Sequence, residues 1–446
     1  MRKLALMLSA AALAGGSAIA AGPAVAAEAA DIDWSNISTK TVSLFYPGQS
    51  SHEWLRSKEH KRADRKTEQG DSCISCHEGE EQELGEAIVG GGRLEPNPIE
   101  GKQAVIDLAV QAAHDDDNLY LRFQWKTLND YPGTAHPHWR FDGTDWKQIG
   151  WPRLSSKVWD DGQPAIYEDR LAMMIDDGSV PMFAEQGCWL SCHVGERDMP
   201  DLAEKADVKA HPLLGEVLGK KDVRKYLPST RVGDDATWDN TKTVEEIAAI
   251  KAAGGFVDLI QWRAHRSRPI GMADDGYVLE YRLTDAGKNI FSKNWDKAAG
   301  QPKYMFDPAK VGFKSRVMDD IRDTSQPSSL IVEENAVAFD PDAGWVEGDM
   351  IPEYYTSREG AKGSAADNNQ VKGTWEDGVW TVLWTRKLDT GNPADDKILK
   401  VGSVYTFGFA VHDDNITTRG HHVSFPMTVG IGAEADIQAV TLAVTQ

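Results

Sequence analysis

The chain has 446 residues and carries 69 Asp and Glu against 48 Lys and Arg, a net charge of −21. That balance presents no basic face for a phosphate backbone and excludes nucleic acid as a partner, whereas an acidic surface suits steered docking to a basic protein. At this length a hydrophobic core can form without disulfides.

In chain order, residues 1–26 read as a secretory signal: Arg2 and Lys3, an apolar run from Leu4 to Leu13, and Ala24-Val25-Ala26 as a small-residue cleavage site. The implied location is the periplasm. The apolar run is too short to span a membrane, and no later stretch approaches twenty apolar residues, so the mature chain is expected to have no transmembrane segment. Residues 27–91 are polar and irregular, with a short helix expected near Glu53 to Ala63, and Gly90-Gly91-Gly92 reads as a flexible joint.

Residues 92–446 are β-like. An apolar run from Val105 to Ala113, an Asp-Asp-Asp-Asn turn and the alternating Leu119, Leu121, Phe123 and Trp125 predict a hairpin. Alternation recurs at Tyr277-Leu279-Tyr281-Leu283, Trp380-Val382-Trp384, Tyr405-Phe407-Phe409-Val411 and Val423 through Ile431. Separated strands with one apolar face each predict a mainly β fold, an antiparallel β-sandwich. Helices are expected near Asp201 to Lys209 and after the Thr243-x-x-Glu246 capping signal, and residues 284–375 read as long loops.

All four cysteines fall in two runs, Cys73-Ile74-Ser75-Cys76-His77 and Cys188-Trp189-Leu190-Ser191-Cys192-His193. The first is the C-x-x-C-H pattern of covalent heme: two thiols add to the vinyl groups, and His77 becomes an axial ligand. The second has one more residue between its thiols but closes in the same way, on His193. A shared zinc site would leave at least one of the terminal histidines unexplained. The cofactors expected are therefore two covalently bound hemes c. Residues 27–91 become a small irregular and helical heme c module, and a larger heme-binding domain follows.

The segment Ala112-Ala113-His114-Asp115 through Trp125, then Glu168-Asp169-Arg170-Leu171-Ala172-Met173, Gly187-Cys188-x-x-x-Cys192-His193 and the closing Val423-Ser424-Phe425-Pro426-Met427-Thr428-Val429, resembles the ethylbenzene dehydrogenase-type heme-binding domain. The resemblance covers about residues 92 to 432. It implies a β-sandwich that serves as the heme subunit of periplasmic molybdenum enzymes of the dimethyl sulfoxide reductase class, or as a free-standing cytochrome. The family's enzyme subunits hold a non-covalent heme between a methionine and a lysine. This chain departs from that pattern through its Cys-x-x-x-Cys-His run, which points to a diheme cytochrome.

The placement of His60 and His52 ahead of the first run resembles multiheme cytochromes in which an upstream histidine supplies the sixth ligand, and His60 matches that position better. For the second iron, the family's lysine position near the final strand corresponds to His421-His422. Strand parity would turn His421 inward with Val423 and Phe425. His136, His138 and Met182 are further candidates, while His114, His211, His265 and His412 read as turn or surface residues. Two fully ligated hemes make an electron carrier between redox partners, among them a periplasmic molybdoenzyme or a membrane electron-transport complex. The competing reading is a heme enzyme, a peroxidase or sulfur-compound dehydrogenase, with one open iron near Arg263, His265, Arg266 and Arg268. A heme-based sensor would need an output domain that the sequence does not show.

Overall fold

The computed structural model describes residues 28–61, 63–285 and 290–442; the signal expected over 1–26 lies outside them. Thirteen strands form one sheet: β1 (Lys40–Phe45), β2 (Val105–His114), β3 (Asn118–Lys126), β4 (Arg170–Asp176), β5 (Val257–Arg263), β6 (Gly276–Val278), β7 (Arg282–Thr284), β8 (Asn369–Glu376), β9 (Val379–Lys387), β10 (Val404–His412), β11 (His422–Val423), β12 (Met427–Ile431) and β13 (Ile437–Thr441). The order is β8-β9-β3-β2-β1-β11-β10-β4-β5-β6-β7, and β13 and β12 form a second bridge from β2 to β10. Pairing is antiparallel except along β13, which runs parallel to both β2 and β12.

The sheet folds over its own core. Phe123 on β3 and Phe409 on β10 have ring centroids 5.9 Å apart, yet the path between them crosses four strand spacings, about 19 Å if flat. Trp125 on β3 likewise meets Trp262 on β5, and Trp262 meets Trp380 on β9. All of these rings are buried in one apolar cluster. Edge-to-face aromatic contacts add about 0.5–1.5 kcal/mol each beyond burial of their area. The expected sandwich of separate sheets therefore gives way to one hydrogen-bonded, largely antiparallel sheet with several short helices around it.

The predicted hairpin is β2–β3, with Ala112 opposite Leu121, and the capping box of Thr243 and Glu246 opens the helix Val244–Ala252. Other expectations change. Tyr277 to Leu283 is a hairpin of β6 and β7 rather than one strand, and Val423 to Ile431 is interrupted between β11 and β12, where Pro426 cannot donate to a ladder. Residues 284–375 contain short strands of three small sheets, including Tyr304–Phe306 paired with Ala336–Ala338. Within residues 27–91, β1 pairs with β2 along its whole length, and its Phe45 pairs with Val423. The glycine run leads into a pinned turn, since Gly92 bridges to Glu95 and the buried Glu95 side chain is ion-paired with Arg419.

Gly373 on β8 is needed for closure, because a Cβ there would overlap the Trp262 indole. Gly373→Ala is expected to lower stability by about 1–3 kcal/mol, the cost of overpacking a core. An unchanged urea midpoint would contradict this packing.

Candidate functional site

Cys73 caps, and Cys76 lies within, the one-turn helix Ile74–His77. The Cys73 N–H donates to the Glu185 carbonyl at 3.1 Å, which fastens this turn to the segment just ahead of the second pair. His77 Nδ1 lies 2.8 Å from Glu80 Oε2, and His60 Nδ1 lies 3.0 Å from the Leu55 carbonyl. Both anchors use Nδ1, so Nε2 is the nitrogen left for coordination. The two ring centroids are 6.0 Å apart with planes 18° apart. Metal–imidazole bonds of about 2 Å on opposite sides of one ion would give nearly that centroid spacing. Burial holds the His60 ring neutral by lowering its pKa.

Cys188 and Cys192 of the second pair both line one cavity against the sheet. β4 and β10 supply one wall. Their odd-numbered side chains, Leu171, Met173, Phe407 and Phe409, enter the core, while Ala172, Met174, Gly408 and Ala410 face the cavity. Gly408 lets Cys188 sit against β10, since a Cβ there would lie 2.8 Å from the Cys188 sulfur. Burial pushes the Cys73 thiol up to about 11 and the Cys192 thiol up to about 12. Protonated thiols at neutral pH do not make a reactive dithiol.

His421 also lines this cavity, with Nδ1 hydrogen-bonded to the Thr418 carbonyl. Burial, then the Lys225 charge, brings its pKa down to about 3. Neighbouring His422 faces elsewhere, its Nε2 2.9 Å from the Gln103 carbonyl. His193 is fully buried but is not on the cavity wall. Its Nδ1 lies 2.6 Å from Glu53 Oε1, its Nε2 lies 3.1 Å from the Tyr226 carbonyl, and its ring stacks on Tyr226 at 3.8 Å.

Arg170, Arg224, Lys225 and Arg282 bring positive charge to the same cavity. Arg170 Nε is buried without a hydrogen-bond partner among the described residues. Two thiols, an imidazole and cationic side chains around one cavity fit a heme, whose vinyl groups, iron and propionates need those three chemistries. The sequence reading missed this basic lining because the net charge is strongly negative and Arg170, the Arg224-Lys225 pair and Arg282 lie far apart in sequence.

A family profile described as ethylbenzene dehydrogenase matches residues 31–424. The chain belongs to the ethylbenzene dehydrogenase family. Cytochrome c-552 of Stutzerimonas stutzeri is 28% identical over 413 residues, covering 92% of this chain and 91% of that protein. Cytochrome c-551 of Rhodocyclus tenuis is 29% identical over 168 residues, covering 38% of this chain and 58% of that protein. The chain is thus a member of a heme-binding, electron-transfer family. The family match starts at residue 31 rather than near 92, in keeping with β1 belonging to the large sheet.

This family member joins its two thiol sites through an aromatic seam. Phe425 lies 6.3 Å from the His77 ring, 5.6 Å from Trp189 and 5.0 Å from Phe45, and Phe45 lies 5.3 Å from Trp189. His52 is buried with its ring 5.3 Å from His193 and its Nδ1 without a partner among the described residues. Met182 packs near Gly70 and does not line the cavity. His136 and His138 are buried elsewhere, 5.8 and 6.2 Å from His265.

Of the histidines expected at turns or the surface, His114, His265 and His412 are buried. His412 lines the cavity, 4.9 Å from His421. His211 caps the Pro212–Val217 helix. No described residue forms a helix long and apolar enough to cross a membrane.

The arginine cluster raised for catalysis is tied into the scaffold. Arg263 binds Asp274, Arg266 binds Glu168, Arg268 Nε donates to the Ala264 carbonyl, and His265 Nδ1 is 2.9 Å from the Thr134 carbonyl. Burial opposes the Glu168 charge, but Arg266, Arg170 and Arg263 outweigh it and hold the carboxyl at about 2. Its folded pKa lies below the unfolded value of about 4.3, so its stabilisation is present above that pH and is lost as pH falls towards 2. The stability gap between the protein and Glu168→Gln is expected to narrow steadily from pH 5 to pH 3 in urea titrations. A constant gap would show that the ionised carboxylate is not what stabilises the cluster.

Proposed function

We propose that the protein is a periplasmic diheme c-type cytochrome that passes single electrons between redox partners. One heme would be attached through Cys73 and Cys76, the other through Cys188 and Cys192, and each iron would take up and give back one electron. The observation that carries this reading is that His77, His60, His193 and His421 are all anchored through Nδ1 by a carboxylate or a carbonyl. Such anchoring orients histidine ligands and leaves Nε2 for the metal. Other buried histidines share the anchor, but none of His114, His138 and His265 adjoins a cysteine run in sequence or lines the thiol cavity.

Within this reading His60 and His77 serve the first iron. His421 is favoured over His422 for the second, because its Nε2 is free and its ring faces the thiols. His193 completes the second site by exchanging its Tyr226 carbonyl contact for the iron while keeping Glu53. Two imidazoles per iron leave no open position, which favours an electron carrier over an enzyme. Bis-histidine ligation also lacks the thioether that raises potential in His/Met cytochromes. Export rests on the signal-like residues 1–26. The family's association with periplasmic molybdenum enzymes makes such an enzyme a candidate partner, alongside a membrane electron-transport complex.

Heme staining, mass and pyridine hemochrome of the exported protein should give two covalent hemes per chain, both low-spin and inert to carbon monoxide. His60→Ala and His421→Ala should each convert one heme to a high-spin, carbon monoxide-binding form, and His422→Ala should convert neither. A single heme, or low-spin spectra throughout the variants, would overturn the assignment.

A further inference from the structure

Away from the thiol cavity, four carboxylates from four segments converge: Asp258 on β5, Asp275 just before β6, Asp285 just after β7, and Asp396 in the loop between β9 and β10. Each is more than nine-tenths buried. Asp258 shares the strand parity of Ile260 and Trp262, which enter the aromatic core. A carboxylate at such a position needs compensation.

The described protein groups supply little of it. Arg386 Nη2 donates to Asp258 Oδ2 at 2.8 Å, the Lys397 N–H donates to the same oxygen at 3.2 Å, and Asn369 Nδ2 donates to Asp275 Oδ2 at 2.7 Å. The Lys397 ammonium is engaged elsewhere, by Asp176 and Asp177. Asp258 Oδ1 and both carboxylate oxygens of Asp285 and of Asp396 are buried without a hydrogen-bond donor among the described residues. Four carboxylates against one guanidinium leave a large uncompensated charge if all are ionised, and a buried unpaired charge is strongly unfavourable.

We infer that Asp258, Asp275 and Asp396, with Asp285 beside them, form a binding site for one calcium ion. One ligand oxygen from each of the first three can be chosen so that all lie within 4.8 Å of one another. Calcium–oxygen bonds of about 2.3–2.6 Å place oxygens on opposite sides of the ion about 5 Å apart, whereas magnesium bonds of about 2.1 Å would need a tighter, wetter octahedron. The all-oxygen set suits a hard cation rather than zinc or copper. Bound there, the ion would tie β5, the β6–β7 hairpin and the loop after β9 together, and these belong to opposite wings of the folded sheet.

The rival arrangement is proton sharing among the carboxyl groups. Burial, with Asp396 and Asp275 beside it, pushes Asp285 up to about 12, and burial pushes Asp258 up to about 6. The two arrangements differ in their response to calcium. The heme-loaded protein, stripped with EGTA and dialysed, is titrated with calcium chloride by calorimetry, and its melting temperature is read in EGTA and in calcium.

A calcium site predicts one ion bound per chain and a melting temperature higher by a few degrees at about 100-fold excess over Kd. Asp396→Asn should weaken calcium binding at least tenfold and abolish the shift with heme spectra unchanged, while Asp116→Asn on the exposed β2–β3 turn should alter neither. No calcium binding up to millimolar concentration, with equal melting temperatures in EGTA and calcium, would overturn the site in favour of shared protons. Both of those readings are made on the unsubstituted protein, so they decide between the arrangements even if a variant fails to fold.

Discussion

The structure depends on β4 and β10 serving two apolar environments at once. They are paired in register, Met173 opposite Phe409 and Met174 opposite Gly408. One face must fill the aromatic core, so it carries Leu171, Met173, Phe407 and Phe409. The other faces the thiol cavity, and there Ala172, Gly408 and Ala410 are small. The period-two geometry of a strand lets these demands be met independently, position by position. A methyl at Gly408 would press on the Cys188 sulfur, so the place of that sulfur is set from the sheet as much as from the loop that holds the cysteines.

A second consequence is that the two thiol sites share one packed body. Phe45 arrives on β1, Phe425 between β11 and β12, and Trp189 within the second cysteine run, and their rings meet between His77 and Cys188. The N-terminal residues therefore cannot be detached without removing β1 from the sheet and one ring from the seam. Rigid aromatic packing of this kind excludes water between the sites. For the proposed electron carrier it fixes the relation of the two redox centres and limits their reorganisation.

The local signals were legible in the sequence where chemistry or periodicity was strict. The paired thiols with terminal histidines, the β2–β3 hairpin, the Thr243–Glu246 cap and the alternation of β9 and β10 all depend on residues near one another in the chain. β4 and β5 escaped because both of their faces are buried, which removes the alternation: β4 carries an apolar run from Leu171 to Ile175, and β5 buries Asp258, Gln261 and Arg263 among its apolar residues. β1 escaped because a six-residue strand in a polar stretch gains its reason to form only from β2 and β11. At the site, position alone nominated His60, His421 and His422, and that His421 lines the thiol cavity while His422 meets the Gln103 carbonyl is visible only in the fold. The basic lining of the cavity was invisible because Arg170, Arg224, Lys225 and Arg282 converge only in the fold.

The distribution of charge also separates the two sites. The Cys76–His77 end is solvent-accessible, with the His77 side chain 27% exposed, whereas His193 is fully buried and Cys188 and Cys192 lie in a cavity lined with arginine and lysine. Burial away from water and neighbouring cations both disfavour the more positive oxidised iron, so each raises a reduction potential; exposure does the reverse. With imidazole ligands at both irons, the ligands themselves would not distinguish the two hemes, and the surroundings would set their order. In the proposed cytochrome that places the lower potential at the exposed N-terminal site and the higher at the buried one. Electrons entering at the N-terminal site would then pass inward down the gradient, across the Phe425–Trp189 seam, to the second site.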